Sequence, residues 1–230
     1  MPPDFDPVRI RLLSFDVFGT LIDVRAGSRA AFETILAESG ATGVDVAAFW
    51  EAWEERNIAS YIGPYRPYKT ICRDSLAATF DAFGVRGRPE SISRYFDAFS
   101  AFQLYPDVVA TLDHLSRRFK IAIVSNIDDD LLAATPLRRT FDLVCTAERA
   151  TGYKPDGALF RYLLANAGVP REEILHSGQS QLTDMVGAKP LGLTVAWINR
   201  RGVPLSATVP PPDFTLSDIQ SLIPLLIPNE

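Results

Sequence analysis

Four places along this sequence carry polar side chains just after short apolar runs. Asp16 and Thr20 follow the run R-I-R-L-L-S-F at 9–15, and Ser125-Asn126 close a second run at 120–125. Lys154 comes after a third run at 142–146, and Gln179 to Asp184 follow a fourth at 173–177. Each run reads as a buried strand. In an open parallel sheet, ligands bind beyond the carboxyl ends of the strands. One carboxylate in such a place is more often a turn-former or a helix cap. Two carboxylates, an ammonium, hydroxyls and side-chain amides recurring at the same end of successive strands instead favour a site for polar chemistry on a small bound molecule.

The elements that must position these groups follow from periodicity. From about Arg25 to Ala101 apolar residues recur at spacings of three and four, giving helices over 28–39, 44–61, 68–83 and 89–102 with no strand-like run between them. Gly43, Gly63-Pro64 and the stretch 84–89 punctuate that block. After Pro106 helices and strands alternate: helix 107–118, strand 120–125, a short helical piece, strand 142–146, helix 156–167, strand 173–177, helix 182–191 and strand 194–198. That alternation implies right-handed crossovers and a parallel sheet. The Pro210–Pro212 run reads as a stiff connector, and Ser217 with Gln220 reads as a capping box opening a final helix. The expected architecture is a doubly wound α/β core, residues 1–22 and 104–230, with an α-helical cap of residues 23–103 inserted after the first strand.

The motifs in their order resemble those of the haloacid dehalogenase superfamily, most closely the type II 2-haloacid dehalogenases. Phe15-Asp16-Val17-Phe18-Gly19-Thr20-Leu21 is similar to the first motif and Ser125-Asn126 to the second. Tyr153-Lys154-Pro155-Asp156 is similar to the third, and Ser177-Gly178-Gln179-Ser180 through Asp184 to the fourth. The likeness runs from about Leu12 to Arg200. It implies a Rossmann-like core and a nucleophilic Asp16, with Thr20, Ser125 and Asn126 holding oxygens. It further implies that Lys154 holds charge in place and that Asp184 orients water or a metal.

Two departures bear on the subfamily. Phosphatases of this superfamily place a second Asp two residues after the nucleophile as acid and base, and here that position is Phe18. An alkoxide leaves poorly without a proton, whereas halide leaves carbon unprotonated. Phosphatases also begin the fourth motif with a Mg²⁺-ligating Asp, and here Gln179 offers a weaker ligand for a hard cation. Both changes favour displacement of halide from a small 2-haloacid through an aspartyl ester, with no metal and no cofactor. The alternatives are a phosphatase, a hydrolase of another carbon–halogen or carbon–nitrogen centre, and a catalytically silent binding module.

An anionic substrate calls for a cation from the cap. Phe49, Trp53, Arg56 and Ser60 share a helical face by spacing, so Arg56 is the first candidate and Arg66 the rival. Phe18, Tyr68 and Gln179 are the other expected pocket residues. His114 reads as part of a solvated helix end and His176 as a satisfied imidazole inside a strand. Neither has a partner at zinc-ligand spacing.

Of the 230 residues 47% are hydrophobic, and the net charge is −5 with no basic run, so no nucleic-acid or acidic-membrane partner is expected. Two isolated cysteines, Cys72 and Cys145, suit a reducing compartment. Residues 1–4 show no leader pattern, and the expectation is a cytoplasmic protein, with a homodimer suggested by the resemblance.

Overall fold

The computed structural model describes residues 5–228; residues 1–4, where no leader pattern was expected, lie outside the described residues. The first strand, β1 (Leu12–Phe15), is buried along its whole length. It begins later than the apolar run suggested, because Pro7–Arg9 form a single 3-10 turn instead. After it, β2 (Ile22–Asp23) pairs antiparallel with β3 (Gln103–Leu104), a two-residue ladder that the sequence did not signal. Two residues are too short to show an alternation.

Between β2 and β3 runs the helical block. It contains α1 (Val24–Glu38), α2 (Val46–Ala59) and α3 (Tyr68–Phe83), with α1 and α3 both packed on α2. Helix α1 starts four residues earlier than its apolar pattern because it runs through Gly27, which lies against the Phe102 ring where no side chain would fit. The expected helix 89–102 is broken into the 3-10 turn Pro89–Ile92, the short α4 (Ser93–Asp97) and the 3-10 turn Ala98–Ala101. Its buried residues, Ile92, Tyr95, Phe99 and Phe102, are spaced three, four and three apart. A continuous α-helix would turn all four inward as well, so the apolar spacing gave no sign of the two 3-10 turns.

The core follows, with α5 (Val108–Leu115), β4 (Lys120–Ser125), α6 (Asp129–Ala134), β5 (Leu143–Thr146), α7 (Ala147–Ala150) and α8 (Ala158–Asn166). It ends with β6 (Ile174–Gly178), α9 (Val186–Ala188), β7 (Thr194–Ile198), β8 (Phe214–Leu216) and α10 (Leu222–Leu226). Six strands form one parallel sheet in the order β5-β4-β1-β6-β7-β8. The chain builds outward from β1 to β5, returns, and builds outward again from β6. The order therefore reverses at the β1–β6 pair, which is where a doubly wound sheet opens its ligand crevice.

Two local expectations are corrected. The helix expected at 182–191 is a π-helical turn (Gln181–Met185), then α9, then a 3-10 turn (Lys189–Leu191). The Ser180 carbonyl accepts from both Asp184 N at 3.0 Å and Met185 N at 3.3 Å, which widens the turn. The capping box at Ser217 is absent: the Ser217 hydroxyl donates to Asp218, and Asp218 Oδ1 accepts from Ser221 N and Oγ ahead of α10. The strand β8, three residues long, takes the place immediately before. No described helix is long and apolar enough to cross a membrane.

Candidate active site

Strand β1 ends by delivering Asp16 to the crevice, with only 7% of its surface exposed. Its amide donates to the Ser177 carbonyl of the neighbouring strand at 3.0 Å, so the residue is held at the edge of β6. The turn that follows needs Gly19 at φ +84°, where the absent side chain leaves room for Gln179. This turn brings Thr20 back, and its hydroxyl donates to Asp16 Oδ2 at 2.9 Å while accepting from Gln179 N at 2.9 Å. One hydroxyl thereby ties the first strand's carboxylate to the loop after β6.

Lys154 is 1% exposed and all three of its ammonium protons are used. Its Nζ donates to Asp16 Oδ1 at 2.7 Å, to Asp184 Oδ1 at 2.7 Å and to the Val124 carbonyl at 2.9 Å. Its backbone is fixed just as closely by Asn126, whose Oδ1 accepts from Lys154 N at 2.8 Å and whose Nδ2 donates to Lys154 O at 2.9 Å. Asn126 is thus spent on placing the lysine. Ser125 differs: it is buried, makes no hydrogen bond to a described side chain, and lines the cavity above Asp16.

Asp184 is fully buried and lies behind Lys154, outside the residues that line that cavity. Its Oδ2 accepts from Ser180 N at 3.0 Å, and His176 Nε2 lies 3.3 Å from Oδ1. Ser14 Oγ, one strand over, lies 3.0 Å from His176 Nδ1. The tautomer with its proton on Nε2 donates to Asp184 and accepts from Ser14. The buried imidazole is satisfied, as its apolar strand suggested, and what satisfies it is the charged array itself. The register signal was available, since His176 stands directly opposite Ser14 in the β1–β6 ladder.

The two carboxylates diverge electrostatically. Burial pushes the Asp16 carboxyl above the usual carboxylate range; the Lys154 ammonium opposes this and the Asp184 charge adds to it. Burial would raise Asp184 too, but Lys154 and His176 outweigh it and hold that carboxyl at about 2. Burial works against the Lys154 ammonium, and the two carboxylates more than offset it, keeping its pKa above the ordinary lysine value.

A cavity of about 120 Å³ opens over Asp16 and is lined by Ser125, Asn126, Lys154 and Gln179 from the sheet side. Phe18, Tyr68, Trp53 and Asn57 line it from the turn and the helices. The Phe18 ring centroid lies 5.4 Å from that of Phe99. Tyr68 is anchored by its amide, which donates to Asp128 Oδ1 at 2.9 Å. No arginine stands among the described residues that line this cavity. Arg56 turns onto its own helix, donating to the Ala52 carbonyl at 2.7 Å, and Arg66 is an exposed partner of Asp74 at 2.9 Å. The expected cap cation is therefore not brought to the site. The buried residues of α2 are Phe49, Trp50, Trp53 and Asn57, so its inward face is rotated from the one assigned by spacing, and Arg56 falls on its flank. A cavity residue missed in the sequence is Glu54, next to that buried stripe.

Among the described residues no three His, Cys, Asp or Glu side chains converge as a metal-ligand set. An ammonium already stands between the two carboxylates, and Gln179 offers only an amide.

A buried Asp–Lys–Asp array thus stands at the switch point of a doubly wound parallel sheet, where α/β enzymes of this architecture carry their ligand sites. Residues 10–192 match the family model of haloacid dehalogenase-like hydrolases, and this chain belongs to that family. It is 26% identical over 229 residues to (S)-2-haloacid dehalogenase 1 of Pseudomonas sp. (strain CBS-3), covering 96% of this chain and 98% of that one. It is also 28% identical over 244 residues to phosphoserine phosphatase of Thermus thermophilus, covering 93% and 98%. The fold matches the L-2-haloacid dehalogenase structure from Xanthobacter autotrophicus with a TM-score of 0.80, at 22% identity over 96% of this chain and 99% of that one.

Proposed function

We propose that this hydrolase displaces halide from a small 2-haloacid through an ester formed on Asp16, and that residues 23–103 act as the cap that closes over the reaction. The observation that carries the reading is the pairing of a buried Asp16, held by Lys154 and Thr20, with Phe18 at the position where phosphatases need an acid. The similarity to 2-haloacid dehalogenases supports it.

In the first step an Asp16 carboxylate oxygen bonds to carbon as the carbon–halogen bond breaks, and halide departs with the electron pair. No proton is required, so an aromatic ring at position 18 costs nothing and helps exclude water. In the second step water adds to the ester carbonyl. The hydroxy acid leaves, Asp16 returns as a carboxylate, and one proton is released. The Gln179 amide, which lines the cavity, holds that water or the substrate. Asp184, with both oxygens engaged, acts through Lys154 as a positioning residue, and Asn126 does so through the lysine backbone. Ser125 offers its free hydroxyl to the substrate carboxylate.

The test is single-turnover reaction with 2-chloropropionate in heavy-oxygen water, followed by mass analysis of the peptide carrying Asp16. Label appears in Asp16 before it appears in product if the ester forms. Label going directly into product excludes an ester on Asp16. Release of inorganic phosphate from phosphate esters that is lost on adding chelator, with no halide release, would move the enzyme to the phosphatase branch.

A further inference from the structure

Glu54 lies on α2 between Trp50 and Ile58, one turn away on either side. It lines the cavity above Asp16 and also the larger outer cavity of about 400 Å³ that adjoins it, so it stands at the passage between the two. The side chain is half-buried and makes no hydrogen bond or ion pair with a described residue. Withdrawal from water pushes its carboxyl above the usual range. Arg25 of α1 and Arg201, after β7, oppose this from farther off, while Glu51 and Glu55 on its own helix add to it. Arg25 is itself engaged, paired with Glu51 at 3.7 Å and lying over the Trp50 ring.

The rest of the cavity is equally one-sided. Among the described residues that line the inner cavity the one cation is Lys154, whose three protons are already given to Asp16, Asp184 and Val124. Within the inner cavity an incoming anion would meet the carboxylates of Asp16 and Glu54, whereas Arg25, Arg200 and Arg201 line the outer one. An incoming cation would meet Glu54 and the aromatic side chains of Phe18, Trp53, Tyr61, Tyr68 and Tyr95 in one small enclosure. A carboxylate taken from water without a donor either keeps a proton or draws in a positive group. Aromatic walls beside it favour an ammonium, through their negative faces.

We propose that Glu54 and the surrounding rings form an ammonium-binding subsite, so that the preferred substrate carries a protonated amine on the side of its reacting carbon that faces α2. This rests on Asp16 as the reacting end. A 2-haloacid bearing an amino group meets both requirements, because its ammonium offsets the charge that its carboxylate brings in.

Binding tests this without turnover. Propylammonium and propionate are titrated by calorimetry into the wild-type protein and into Glu54→Gln, which keeps the shape and removes the charge. Propylammonium binds the wild type more tightly than propionate does, and the substitution weakens it by about tenfold or more, as expected for a desolvated charge pair. A proton and an ammonium compete for the same carboxylate, so amine affinity rises as pH is raised from about 4, near the ordinary glutamate value, to about 8. Arg25, Arg201, Lys154 and Asp16 remain in both proteins and do not account for a difference between them. Amine binding that is unchanged in Glu54→Gln, or that does not vary with pH, overturns the subsite. The turnover arm compares halide release from 3-amino-2-chloropropionate and 2-chloropropionate. The amino compound is preferred by about tenfold or more in kcat/KM, and the preference collapses in Glu54→Gln. Absence of halide release from both compounds, with amine binding intact, sinks the dehalogenase reading and leaves the subsite standing.

Discussion

Replacing Lys154 by Met tests the array as a unit. The thioether side chain fills similar volume but removes three hydrogen bonds and the only cation between two buried carboxylates. Removing one partner of a buried charge pair costs about 3–5 kcal/mol, because the remaining charge is left uncompensated. For a chain of this length about 1 kcal/mol moves Tm by roughly 2–4 °C, so the expected drop at neutral pH is roughly 6–20 °C. The pH dependence identifies the cause. In the wild type the Asp184 carboxyl is held at about 2 instead of 3.8, so its contribution is fully present above 3.8 and is lost only as pH falls toward 2. In the variant burial acts on both carboxyls without the opposing ammonium, and their pKa values rise. A carboxyl raised in the folded state favours folding below its unfolded pKa and loses that advantage as pH rises through the folded one. The gap between the two proteins therefore narrows as pH is lowered from about 7.5 to about 5. Differential scanning calorimetry across that range makes the measurement. A neutral-pH drop below about 3 °C, or a drop that stays constant with pH, would show that Lys154 carries no buried charge balance.

Asp16→Asn lowers halide release by at least roughly 10³-fold, checked against deamidation, because the amide cannot form the ester. The same variant melts at or above the wild-type temperature at neutral pH, since it removes a carboxyl whose raised pKa costs stability there; a clear fall in Tm contradicts this. Asn126→Ala, which frees both backbone groups of Lys154, costs about 1–3 kcal/mol in urea unfolding and lowers kcat more than it raises KM. Arg56→Ala and Arg66→Ala each leave kcat/KM on 2-chloropropionate within about threefold of wild type, because neither guanidinium lines the cavity. A larger loss at either would mean that closure of the helices brings that arginine in.

Much of the fold was legible where a single periodicity ruled. The strands Lys120–Ser125 and Thr194–Ile198 and the helix Tyr68–Phe83 have the bounds their patterns gave. Each is a uniform apolar run or one helical stripe stopped by Gly, Pro or a polar pair. Legibility failed where two periods share one segment. The stretch 89–102 mixes turns of three and four residues, and 181–191 passes through π, α and 3-10 geometry. The chemistry-bearing strand ends were legible because β1, β4 and β6 are adjacent, so residues 109 and 52 apart in sequence meet at one edge. The helix face over the site was not. Spacing alone put Arg56 with Phe49 and Trp53, but Trp50 and Asn57 are buried too, and they turn the inward face away from Arg56 and toward Glu54. That rotation exchanges a cation for Glu54, and with it the sign of the charge presented to the substrate.

The contrast between Asp16 and Asp184 bears on which of them reacts. Both accept from the same ammonium at 2.7 Å, so Lys154 does not distinguish them. The difference lies in the remaining partners. Asp184 accepts further from Ser180 N and pairs with His176, whereas Asp16 accepts further only from the Thr20 hydroxyl. Each bond to a charged carboxylate lowers its proton affinity and its reach for an electrophile. Asp184 is therefore the anchored, weakly basic member, and its position behind Lys154 keeps it from any ligand. Asp16 is the more basic one, less satisfied, and open to the cavity. On the proposed mechanism this asymmetry is what a carboxylate nucleophile requires: enough positive charge nearby to stay ionised, and too few donors to be quenched. A substrate carbon arriving over Asp16 supplies the interaction that the fold withholds, and the fold holds that carboxylate at a cost in stability which the Asp16→Asn melting temperature measures directly.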